Sequence, residues 1–116
     1  MQKKKRLVLE VTFASEKSGL AVGTTKTVPC TIGSDAELKL PQVSPVELEL
    51  EPFFIDTHKE PQGVMLTKKG RLANVFLYEA NTLLYDREWT ILRKGDKVRL
   101  CTLSYEFLVE FTVKLA

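Results

Sequence analysis

A chain of 116 residues with 44% hydrophobic side chains has apolar material for one sizeable core and too little length for two domains. Its 28% charged residues match an ordinary soluble globular protein, and no window has the long uncharged apolar run that a membrane-spanning helix requires. A net charge of +2 falls short of the concentrated basic face that duplex nucleic-acid binders present.

The chain opens on Met1-Gln2 and the basic run Lys3-Lys4-Lys5-Arg6. No apolar stretch with a small-residue cleavage site follows, so no secretory signal and an intracellular compartment are expected. Residues 1–6 read as a flexible, solvated start, and the sharper reading of the basic run is a nuclear-localisation patch. Leu7, Leu9, Val11 and Phe13 then alternate with Val8, Glu10 and Thr12, the period of a strand with one buried face, until turn residues at 15–23 break the run. Val28, Cys30 and Ile32 alternate around Pro29, and a proline within such a run points to an edge strand because it cannot donate to the ladder.

Leu38-Lys39-Leu40 is stopped by Pro41, and Val46, Leu48 and Leu50 alternate with Glu47, Glu49 and Glu51, three glutamates read as the wet side of a sheet. Residues 56–63 form the longest polar break, an exposed loop. Short β-rich pieces follow at 64–66, 75–78 and 89–92, separated by residues 68–74, by Asn81-Thr82 and by Asp86-Arg87. Residues 97–101 and a long final strand ending in Phe107, Val109, Phe111, Val113 and Leu115 read as a hairpin. No window carries a helical stripe, and the pattern predicts an all-β sandwich or barrel of many short, mainly antiparallel strands.

Cys30 and Cys101 lie in strand-like runs and are read as free thiols packed as small hydrophobes, a disulfide being the alternative. The single histidine, His58, has no cysteine or second histidine at ligand spacing, so neither zinc nor any other cofactor is expected. It also has no nucleophile partner, and no catalytic constellation is found.

Four segments resemble the forkhead-associated (FHA) family. Thr31-Ile32-Gly33, Leu38-Lys39-Leu40 and Val43-Ser44 are similar to that family's strand, Gly-Arg turn, hydrophobic pair and serine. Leu48-Glu49-Leu50 matches the following strand, and residues 70–77, Gly-Arg-Leu-Ala-Asn-Val-Phe-Leu, resemble its Gly-Ser-Thr-Asn-Gly-Thr-Phe-Val turn and strand. Residues 92–100 with Gly95-Asp96 resemble its Gly-Asp hairpin. The resemblance spans nearly the whole chain and implies a single FHA-like sandwich of about eleven strands with partner-binding loops at one end. Family members bind phosphothreonine peptides, where a guanidinium, a hydroxyl and an amide converge on the phosphate.

At the matching positions the chain departs from that set. Ser34 stands where the arginine is expected and Glu47 where the histidine is, which would bring a carboxylate near the pocket. Ser44 matches the serine. The asparagine falls on Ala73, or on Asn74 with a one-residue shift. Lys39, Lys68, Lys69 and Arg71 are basic loop residues able to replace the lost charge, with a solvated loop tip as the plainer reading. For Ser44 the plainer reading is a local turn cap, and for Asn74 a turn position. The expected function is a non-catalytic protein-interaction module, mediating scaffold assembly or self-association, with Ser34, Ser44, Lys68, Lys69, Arg71 and Asn74 as partner-binding candidates and a homodimer among the options. The alternative is a phosphothreonine reader with a non-standard pocket. A third reading stacks single-stranded bases on Tyr78, Tyr85 and Trp89 beside Arg87 and Arg93, although core and edge packing is the expected role of those aromatics.

Overall fold

In the computed structural model, which describes residues 6–54, 61–78 and 82–115, the chain forms eleven strands. They are β1 (Leu7–Ala14), β2 (Thr25–Thr27), β3 (Cys30–Gly33), β4 (Leu38–Lys39), β5 (Leu48–Phe53), β6 (Gly63–Lys68), β7 (Asn74–Leu77), β8 (Thr82–Leu84), β9 (Trp89–Leu92), β10 (Lys97–Cys101) and β11 (Phe107–Leu115). Six form one sheet in the order β2-β1-β11-β10-β7-β8, and five form the other in the order β4-β3-β5-β6-β9. Every pairing is antiparallel except β3 with β4. A single 3-10 turn, Glu16–Ser18, is the one helical segment among the described residues, and no helix there is long and apolar enough to cross a membrane. His58 and residues 3–5 of the basic run lie outside the described residues.

Cross-strand register explains the core. Leu77, Val98, Phe111 and Val11 line up across four strands on the inner face, and all are buried. Leu48, Leu50, Leu66 and Leu92 close over them from the second sheet. The inner face is thus dry, and its burial is the main favourable term in folding.

Several expectations are corrected. Phe13 is not on the core face. A bulge between Val11 and Phe13 sets two residues opposite one on β11, so Phe13 turns outward and is 60% exposed. A second irregularity between Leu100 and Cys101 buries Leu108 and leaves Phe107 half-buried, lining an outer hollow with Phe13, Arg99 and Glu110. Glu110 is buried on that outer face, accepting hydrogen bonds from Thr12 Oγ1 (2.9 Å) and Arg99 Nε (2.8 Å). Pro29 is not inside a strand: Val28-Pro29 is the corner where the chain leaves the first sheet, and β3 lies between β4 and β5 rather than at an edge. Val46 is exposed ahead of β5. Thr82 opens β8 instead of a break. Gly95-Asp96 does not close a hairpin, because β9 and β10 belong to different sheets. It is a tight crossover in which Asp96 Oδ2 accepts from Arg93 N (2.8 Å) and Gly95 takes φ 93°.

Both cysteines are free and buried, which removes the disulfide alternative. Burial, reinforced by the Glu37 carboxylate, pushes the Cys30 thiol up to about 11. An unfolded thiol ionises near about 8.5. The folded pKa being the higher one, the thiol's contribution to stability is complete below the unfolded value and is lost as pH rises towards 11. Chemical denaturation between pH 8 and 11 should therefore show a smaller alkaline loss in Cys30→Ala than in the wild type, the comparison being the slope with pH rather than absolute stability. Parallel slopes would refute the assignment.

Candidate interaction surface at the loop end

Three loops meet at Ser44: residues 34–37 between β3 and β4, 40–47 between β4 and β5, and 69–73 between β6 and β7. They meet because two glycines allow it. A Cβ on Gly33 would lie 2.2 Å from the Pro45 carbonyl oxygen, and one on Gly70 would lie 2.6 Å from both Cβ and Oγ of Ser44. Backbone bonds seal the contact: Ser34 N donates to Ser44 O (3.0 Å), Asp35 N to Pro45 O (3.1 Å), and Lys69 N and Gly70 N both to Glu47 O (2.9 and 3.1 Å). Ser44 Oγ accepts from Arg71 N at 3.2 Å, which ties the second loop to the third.

Glu47 overturns its expected place on the wet side of the sheet. It precedes β5, is 0% exposed, and turns its carboxylate under the loops. Oε1 accepts from Ser44 N (3.2 Å) and Leu72 N (3.1 Å). Oε2 lies 3.2 Å from Lys68 Nζ, an ion-pair contact without a directed hydrogen bond. Lys68 is likewise no loop-tip cation. It is the last residue of β6, 3% exposed, and its ammonium donates to Gly70 O (2.6 Å) and Asp86 Oδ1 (2.7 Å). Buried charges persist where each is paired, and here two carboxylates and a carbonyl surround one cation. The Lys68 hydrogen bond, aided by the charges of Lys68, Arg71 and Arg87, holds the Asp86 carboxyl below its usual range.

Among the candidate residues, Ser34 and Ser44 are half-buried neighbours at the loop junction, with Arg71 joined to Ser44 through its backbone. Lys69 and Arg71 are exposed, Arg71 at 72%, its Nε 3.7 Å from Asp86 Oδ2. Lys68 and Asn74 do not join them as exposed groups. Asn74 opens β7 and its amide donates to Thr102 O (3.0 Å), on the loop between β10 and β11, while Ala73 is buried.

Beside this junction runs a groove of about 440 Å³ whose lining includes Arg71, Asn74, Tyr85, Asp86, Leu103 and Tyr105. Tyr78, Tyr85 and Trp89 are exposed, which corrects their expected packing role: Trp89 stands on edge strand β9 and the two tyrosines lie outside the strands. Leu103 and Tyr105 escaped the sequence reading because they sit in a turn whose proximity to Arg71 is set by the tertiary fold. No family model, curated protein or solved structure matches this chain.

Proposed function

We propose that the chain is a non-catalytic protein-interaction module resembling a degenerate FHA domain, whose loop end contacts partners without depending on phosphothreonine. One observation carries the reading: groups a phosphate pocket would use are engaged inside the molecule. The Lys68 ammonium is shared among Glu47, Asp86 and Gly70 O, the Asn74 amide is bound to Thr102 O, and Ser34 offers no guanidinium. Two sheets with eleven strands, and loops joined at one end, agree with what the family resemblance implies.

A second reading, the phosphothreonine reader, is favoured by the burial and pairing of Glu47, which leaves exposed Lys69 and Arg71 around Ser44 without a bare carboxylate. Calorimetric titration of a phosphothreonine peptide and its unphosphorylated twin separates the two. The module reading expects equal heats from both. Low-micromolar binding of the phosphorylated peptide alone, weakened in Ser44→Ala, would replace it with the second reading.

A further inference from the structure

Two bulky residues beside the groove are held in the left-handed backbone region that favours glycine. Tyr105, on its lining, has φ 68°, and Arg87, adjoining the lining residue Asp86, has φ 66°. Each is pinned by its loop: Tyr105 N donates to Thr102 O (2.9 Å), Glu106 N to Thr102 Oγ1 (3.0 Å), and Arg87 N to Lys68 O (2.9 Å). Strain of this kind gathers at functional sites, and its product here is a tyrosine and an arginine displayed where glycine would be easier to hold. The Tyr105 ring leans on Phe76 at 6.2 Å, so it is braced from one side while remaining 65% exposed. Tyr85, equally exposed, and Leu103 line the groove with it. Tyrosine and arginine are the residues that dominate protein-interface energetics.

Charge fixes the chemistry of the occupant. Lys69, Arg71 and Arg87 are the outward cations of this region, interspersed with the exposed carboxylates of Asp86, Glu88 and Glu106, and Arg71 is the outward cation of the lining itself. Resting on the module reading above, we propose that the groove is the docking site for an extended, unphosphorylated segment of another protein. The segment sets an apolar or aromatic side chain against Tyr85, Leu103 and Tyr105 and a carboxylate against Arg71. A nucleic acid fits less well, because a chain of phosphates would face Asp86, Glu88 and Glu106 together, whereas a peptide brings a single carboxylate to Arg71.

The test is an array of synthetic decapeptides in a Gly-Ser background, each carrying one Leu or Tyr and one Glu at varied spacing, probed with the wild-type domain and followed by titration of the best binder. Peptides bearing both groups should bind, and those bearing either alone should not. Affinity should fall about tenfold or more in Arg71→Glu and in Tyr105→Gly. Tyr105→Gly guards against loss of folding, since glycine suits φ 68°; it should keep the wild-type melting temperature while losing the peptide. Binding that ignores both groove variants would overturn the groove while sparing the module reading. Phosphorylation-dependent binding abolished by Ser44→Ala would overturn the module reading itself. No binder in the array, or salt-sensitive capture of oligothymidine competing at the same residues, would also overturn the groove proposal.

Discussion

Lys68→Met should be the most damaging single substitution at the loop end, destabilising the fold by about 3–5 kcal/mol, because it strands the Glu47 carboxylate in a fully buried site. Without the ammonium, that carboxylate keeps two backbone donors, Ser44 N and Leu72 N at 3.2 and 3.1 Å, which cannot replace a full opposite charge. Asp86 suffers less, since it is about half exposed and water solvates it. Replacing both partners, as in Glu47→Leu with Lys68→Met, should recover much of the loss, because an apolar pair leaves no uncompensated charge. Urea denaturation of the wild type, both single variants and the double variant measures the coupling directly. A Lys68→Met midpoint close to that of the wild type would mean the pair is not what holds the loops.

The next largest effect is expected at Gly33. An alanine Cβ there would meet the Pro45 carbonyl oxygen at 2.2 Å, its carbon at 2.6 Å and the Ser44 carbonyl oxygen at 2.7 Å, all backbone atoms that cannot rotate away. The loop carrying Ser44 must move, breaking the Ser34 N and Asp35 N bonds that close it, at a cost of about 3 kcal/mol. Gly70→Ala meets the Ser44 side chain and Glu47 Cδ instead, and because Glu47 is pinned it should cost about 1–3 kcal/mol. Thermal melts rank the pair, and the structure requires Gly33→Ala to melt below Gly70→Ala. The reverse order would show that the loops yield more easily at Pro45 than at Glu47.

Much of the fold was legible because alternation and burial coincide: the inward row Leu77, Val98, Phe111 and Val11 is the row that period-two reading selects. Reading failed where a local irregularity changes the phase. The bulge before Phe13 and the irregularity near Leu108 each swap faces without any turn residue to announce it. β2 and β8 are three-residue strands, too short to show a period, and neither was picked out by alternation alone. At the site, the positions of Ser34, Ser44, Lys69 and Arg71 follow from order along the chain, but the fate of Glu47 does not. Its parity along the strand said outward, and only the loops folding over it, with Lys68 waiting beneath, make the inside of the protein tolerable for a carboxylate. The groove partners Tyr85 and Tyr105, twenty residues apart in sequence, come together only through sheet order, which no local pattern encodes.

The pairing of β1 with β11 has a further consequence. Leu7 sits opposite Leu115, so the first and last strands run side by side within the six-stranded sheet, and contacts between them join residues nearly a full chain apart. Bringing such remote segments together is entropically slow, so closing this seam is expected to pace folding.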